Sequence, residues 1–175
     1  MKEGHLMLRV PLDKAHIRRT IRPLYGWSQA TPKSCFLDPA WDRSVDIYPG
    51  MAMMRTSGEN YSLLNGTGVP AGLSGLYVGG DGVDEVRDVG INVFAVWVLA
   101  DDAEFEILAP AFDTSVSWVD PGNGTDVLVH AHTAGANRGK LVPAGTVGAS
   151  GAPVARLIKV SSASKIIIGG LTPRT

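Results

Sequence analysis

The sequence predicts a mainly β protein: a compact β-sandwich or β-barrel, the β-tulip-like form included, preceded by an extended N-terminal arm. Short apolar or alternating runs recur along most of the chain, with glycine-, proline- and aspartate-rich turns between them. The 175 residues include 21 glycines and 11 prolines, too many breakers for long helices. A third observation separates arm from body. Pro11, Pro23, Pro32 and Pro39 interrupt every candidate element near the N-terminus, whereas regular strand signals begin at Val45. The expected division is a basic arm over residues 1–44 and a β-rich body over residues 45–175.

In the arm, one short helix is expected over residues 13–22, with Asp13 as N-cap and Leu12, His16 and Arg19 sharing a face. The bulky residues Ile17, Ile21, Leu24, Tyr25, Trp27, Phe36 and Trp41 are scattered between prolines. Such a segment becomes ordered by lying on a surface, its own domain's or a partner's. In the body, Val45, Ile47 and residues 50–54 read as a strand around a Pro49-Gly50 turn, and residues 61–64 as the next. Residues 65–76 read as loop, and a short run over 76–78 ends in the glycine cluster at 79–82.

Residues 93–99 are apolar on both faces and mostly β-branched or aromatic, which predicts a strand buried on both sides in the middle of the core. The next run alternates, with Ala103, Phe105 and Ile107 on one face and Glu104 and Glu106 on the other, an outward or partner-facing side. Beyond the turn at 120–124, β runs recur at 127–131, 140–142, 154–160 and 165–168. Residues 121–175 either complete the same barrel or form a sub-lobe.

Composition bounds the function classes. A chain that is 45% hydrophobic and 19% charged has enough apolar residues for one domain with a real core. The single cysteine, Cys35, forms no internal bridge, which argues against a disulfide scaffold. No apolar run reaches about 18 residues, so no membrane span is expected. The net charge of −1 hides an asymmetry. Residues 1–43 carry Lys2, Arg9, Lys14, Arg18, Arg19, Arg22, Lys33 and Arg43 against Glu3, Asp13, Asp38 and Asp42, so a basic segment precedes an acidic body.

No constellation in the sequence assembles a reaction. Asp113-Thr114-Ser115 and the run 166–169 (Ile-Ile-Ile-Gly) resemble the catalytic turn and supporting element of aspartic proteases, in which two carboxylates share a proton. Ser115 stands where that turn needs glycine, and Pro110 breaks the strand leading in. His130 and His132 alternate on a strand, a spacing metal sites use, but no third ligand accompanies them and a surface or interface role is expected. The glycine clusters lack the phosphate-loop pattern. Asp81, Asp84, Glu85, Asp88, Asp101, Asp102, Glu104 and Glu106 form an acidic stretch without calcium-loop spacing, suited to solvent or a basic partner. The basic arm mixes its arginines with acids, so direct nucleic-acid binding is not expected.

Specific strings carry a resemblance. They are residues 47–53 (Ile-Tyr-Pro-Gly-Met-Ala-Met), 69–73 (Val-Pro-Ala-Gly-Leu), Val96-Trp97-Val98 with 103–113, 135–141, 153–160 and 166–171 (Ile-Ile-Ile-Gly-Gly-Leu). Together, over about residues 45–171, the chain resembles the head decoration, or capsid cement, proteins of tailed bacteriophages. The resemblance implies a β-rich structural protein, not an enzyme, often a homotrimer. It would sit on the outer surface of the expanded icosahedral capsid, bridge major capsid protein subunits against internal DNA pressure, and be made in the host cytoplasm. No cofactor, metal or membrane is implied.

An arm that reaches a neighbour strengthens such binding through high effective concentration. Arg9, Arg18, Arg19 and Arg22 are the expected polar contacts to the capsid, and Tyr25, Trp27 and Trp41 the aromatic anchors. Met51, Met53 and Met54 are expected at oligomer contacts, or in the core. Two other classes stay open: a virion spike or fibre subunit, and an aspartic-protease-like dimer.

Overall fold

The computed structural model describes residues 20–25, 32–42, 44–79, 93–99, 103–122 and 127–171. Eleven strands are formed there: β1 (Ile21–Tyr25), β2 (Pro32–Leu37), β3 (Ala52–Ser57), β4 (Asn60–Leu63), β5 (Pro70–Ser74), β6 (Val93–Trp97), β7 (Glu104–Leu108), β8 (Val127–Ala131), β9 (Leu141–Pro143), β10 (Ala155–Ser162) and β11 (Lys165–Gly169). One short 3₁₀ turn, Gly135–Asn137, lies between β8 and β9. Five strands close a barrel in the order β2-β4-β3-β5-β6, and six form a second sheet in the order β1-β7-β11-β10-β8-β9. The protein is therefore mainly β, with a closed barrel, as its alternating runs and turn chemistry predict.

Closure of the barrel is non-local. The β2–β4 pair is parallel, with Phe36 opposite Asn60 and Leu37 opposite Tyr61, whereas β2 runs antiparallel to β6, with Cys35 opposite Phe94. Antiparallel β3–β4, β3–β5 and β5–β6 pairs complete the ring. Gly72 in β5 allows the closest approach: a Cβ there would lie 2.4 Å from the Trp97 carbonyl oxygen and 2.5 Å from Val96 Cγ1. Closure leaves the barrel without open edges. At the two edges of the six-stranded sheet, β1 carries Pro23 and β9 ends on Pro143, residues that cannot donate to an incoming strand.

A single apolar core joins barrel and sheet. Cys35, Leu37, Met53, Leu63, Leu73 and Val96 from barrel strands belong to the same buried cluster as Phe105, Ile107, Val129, Leu157, Ile166 and Ile168 from the sheet. The Trp97 and Phe105 rings meet edge to face, with centroids 5.5 Å apart, across that junction. Gly139 adds a polar stitch, since its carbonyl accepts the Ala52 N–H at 2.7 Å and its φ of +80° suits glycine.

Several expectations are corrected here. The part of the N-terminal region that is described is no appendage: β1 is a sheet strand against β7, and β2 is a stave of the barrel. The helix expected over 13–22 fails at its end, where Ile21 and Arg22 are in β1, and its remainder lies outside the described residues. Residues 70–74, expected as loop, form β5, because a proline at the first position of a strand and a glycine at a close approach do not exclude strand.

The strand over 93–97 is a barrel stave with Val96 inward and Val98 just beyond it exposed, not a strand covered on both faces. The covered position belongs to β7, flanked by β1 and β11, with Phe105 and Ile107 fully buried. Residues 121–175 neither complete the barrel nor stand apart. Their strands β8 to β11 build the second sheet together with β7 and β1.

Candidate functional site

A dense polar cluster in the described structure forms around Asp113, at the end of the segment that follows β7. Phe112 bridges to Leu141 and packs edge to face on Trp118, which fixes the turn against β9. The Trp118 indole N–H donates to the Asp113 carbonyl at 2.8 Å. The Asp113 carboxylate, 7% exposed, then accepts from two sides. Oδ1 takes the Ser115 amide at 2.8 Å and the Ser115 hydroxyl at 2.6 Å. Oδ2 takes His132 Nε2 at 2.9 Å and, weakly, Asn137 Nδ2 at 3.5 Å.

Burial pushes the Asp113 carboxyl up, but the Ser115 hydroxyl, the Ser115 amide and His132 outweigh it and hold the group below its usual range. Because an ionised carboxylate only accepts, His132 carries its proton on Nε2. Lys140 Nζ extends the cluster by donating to Asn137 Oδ1 at 3.0 Å.

This arrangement is a clasp between the 112–118 and 132–140 segments rather than an assembled nucleophile. Ser115 donates its proton to the carboxylate, and the imidazole is turned to that same carboxylate, so no base addresses the Ser115 oxygen. The run at 166–169, which resembles a protease support element, is β11, and its ladder partners are β7 and β10. His130 is not a partner of His132: its Nδ1 donates to the Ser150 carbonyl at 2.6 Å. Among the described residues no group of three His, Cys, Asp or Glu side chains gathers around a metal position. Sequence reading placed Asp113 and His132 in separate motifs. Their pairing across 19 positions leaves no local signal.

The residues expected at capsid contacts fall into three groups. Arg9, Arg18, Arg19 and Trp27 lie outside the described residues, as do Asp81, Asp84, Glu85, Asp88, Asp101 and Asp102 of the acidic stretch. Arg22 lies on the outer face of the sheet with its side chain 64% exposed, and Lys165 joins it in holding Glu106, at 3.3 and 3.2 Å respectively. Tyr25 supplies backbone to β1 opposite Glu104.

Trp41 is a correction: it is buried in the common core, because the chain turns inward after β2, and it is not an exposed anchor. Met51 and Met53 are fully buried within the chain, their unbranched side chains filling the interior beside β3, which is the core placement of the two that the sequence left open. Met54 is partly buried against the core and lines a cavity. Cys35 is buried inside the barrel, and loss of solvent raises its thiol pKa to about 11, which keeps it protonated and unreactive at neutral pH.

Two concavities mark the described surface. One, of about 160 Å³, opens at the barrel rim between Asp38, Trp41, Asp42, Met54 and Arg138. The other, of about 220 Å³, has an apolar lining that includes Pro70, Val98, Pro153 and Leu171. Both are small for an organic cofactor. No helix of the described structure is long and apolar enough to cross a membrane.

What this surface offers is shape, charge and paired side chains on a rigid β body. Neither a curated protein nor a solved structure matches the chain. A family model described as phage cement protein matches residues 7–173, nearly the whole length, and the chain belongs to that family of structural virion proteins that serve the capsid.

Proposed function

We propose that the protein binds the outer surface of an icosahedral phage capsid and stabilises contacts between neighbouring major capsid protein subunits, acting as a homotrimer and without catalysis. The observation that carries this reading is the cement-family match over residues 7–173. The physical form supports it: barrel and sheet share one core, and prolines stand on the two outer strands of the sheet, so load is transmitted through a single rigid body. In this reading the basic N-terminal segment makes the polar contacts. Arg22 and Lys33 already pair with Glu106 and Glu59, so among the arginines expected at the capsid the reading rests on Arg9, Arg18 and Arg19, with Tyr25 and Trp27 as apolar anchors.

The test adds purified protein to expanded, undecorated shells and measures bound copies per major capsid protein by mass spectrometry. Replacing Arg9, Arg18 and Arg19 together by Gln is expected to lower occupancy and to flatten its salt dependence. Unchanged occupancy would contradict the arm assignment. A spike or fibre subunit would instead bind a few vertex or tail sites, far below one copy per lattice position. Truncation up to residue 43 is the wrong test, since it removes β1 and β2 from the fold.

A further inference from the structure

We infer that the apolar groove beside the start of β5 is the seat of this chain's own N-terminal run, residues 6–10 (Leu-Met-Leu-Arg-Val). The groove, of about 220 Å³, is lined by proline, alanine, glycine, valine and leucine alone, among them Pro70, Val98, Leu99, Pro153 and Leu171. It offers no polar side chain to orient an ion, a nucleotide or a sugar, so its chemistry selects an apolar group. Within the described residues Val98 and Leu171 remain 44% and 45% exposed, and Val69, next to Pro70, is 71% exposed. Open aliphatic residues gathered from three separate segments form a patch rather than scattered single side chains.

The N-terminal run has the matching pattern. Residues 6–12 (Leu-Met-Leu-Arg-Val-Pro-Leu) are the most apolar stretch of residues 1–19. In extended form Leu6, Leu8 and Val10 share one face and Arg9 takes the other. The aliphatic face enters the groove, and Arg9 stays on the outside, available to a partner. The other end of the chain, residues 172–175, reads Thr-Pro-Arg-Thr and supplies no leucine, valine or methionine.

The length of chain before β1 is sufficient. It joins the fold at Thr20, whose carbonyl accepts the Leu108 N–H at 2.8 Å, at the far end of β7 from the groove. The groove lies where β7 begins, since the Gly170 N–H, next to Leu171, donates to the Ala103 carbonyl at 3.3 Å. The path is about 14 Å along β7 and about 10 Å across two strand spacings to β11. The ten residue steps from Thr20 back to Val10 span up to about 33 Å. Tethered to the same body, the run meets the groove at an effective concentration on the order of millimolar, an advantage that a separate molecule lacks.

This seat goes beyond the cement reading, and its test needs no capsid. A nitroxide is attached to full-length ¹⁵N-labelled Glu3→Cys; the native thiol, Cys35, is buried and stays unlabelled. The amides of Ala71, Val98, Leu99 and Leu171 are expected to lose intensity relative to the same sample with the nitroxide reduced. Adding Leu6→Ser and Leu8→Ser to that chain should restore them. Undiminished groove amides in the first sample overturn the proposal, and that result needs no further variant to fold. Loss that persists with both leucines replaced also overturns it, because proximity would then not depend on the apolar contact.

A mixture of nitroxide-bearing unenriched chains and nitroxide-free ¹⁵N chains, refolded together so that subunits exchange, separates one chain from two. Intact groove amides in the mixture support the chain's own run as occupant. Loss of intensity there assigns the groove to the run of a second copy and overturns the proposal.

Discussion

Replacing Asp113 by Asn removes one charge from a side chain that is almost fully enclosed and leaves its shape intact. The carboxylate accepts from the Ser115 hydroxyl at 2.6 Å, the Ser115 amide at 2.8 Å and His132 Nε2 at 2.9 Å. An amide oxygen retains neutral versions of some of these bonds, and the amide NH₂ meets a donor. The expected cost is about 2–3 kcal/mol, the range for hydrogen bonds that lose their charged partner. Asp113→Ala, which abandons His132 and both Ser115 donors, should cost about 3–5 kcal/mol.

The pH dependence follows from the direction of the shift. The folded carboxyl titrates below its unfolded value of about 3.9, so its stabilisation is complete above that pH and is lost as pH falls through the folded pKa. Urea unfolding of the parent protein and Asp113→Asn between pH 2 and 7 should show a gap that is widest above pH 5 and closes toward pH 2. A gap under about 0.5 kcal/mol, or one independent of pH, would refute the clasp. The same variant should bind shells as the parent does. If it instead abolished a peptide-cleaving activity, the aspartic-protease reading would return.

Three further predictions use the same unfolding assay or simple chemistry. Gly139→Ala should cost about 2–4 kcal/mol, since it combines a left-handed backbone with a Cβ placed 2.6 Å from Leu63 Cδ2. Gly145→Ala has a similar φ of +82° but nothing within 4 Å, so it should cost only about 1–2 kcal/mol, and equal losses at the two sites would contradict the packing around β3. Met53→Ala should lower stability by about 2–5 kcal/mol at every protein concentration. A loss confined to subunit association would restore Met53 to an interface. Iodoacetamide should leave Cys35 unmodified at pH 7.5 until the protein unfolds, whereas rapid labelling of the native protein would show that the barrel admits solvent.

What the sequence disclosed depended on how local the cause was. β7 and β8 to β11 lie within about a residue or two of where alternation and β-branched runs put them, because a half-buried sheet writes its period into the chain. β1, β2 and β5 were hidden by Pro23, Pro32 and Pro70. Each proline occupies a place the ladder tolerates: an outer strand of the sheet, or the first residue of a strand.

The burial of Trp41, Met51 and Met53 has no local signature, since it depends on partners from distant strands. Asp113 was visible as the residue at the end of the alternating run, but its partner His132 was not. That pair is created by the register of β9 beside the 112–118 turn, with the Asp113 N–H bonded to the Leu141 carbonyl at 3.0 Å. Charge was legible in total and misleading in detail. Arg22 and Lys33 looked available for a partner, yet the fold pairs them with Glu106 and Glu59.

The most direct test of the capsid assignment is a cryo-electron microscopy reconstruction of expanded shells mixed with saturating protein. The account predicts added density on the outer surface, repeated across the lattice wherever capsomers meet, into which the barrel and six-stranded sheet fit as one body. Density restricted to vertices or the tail, on the inner surface, or absent altogether would contradict it.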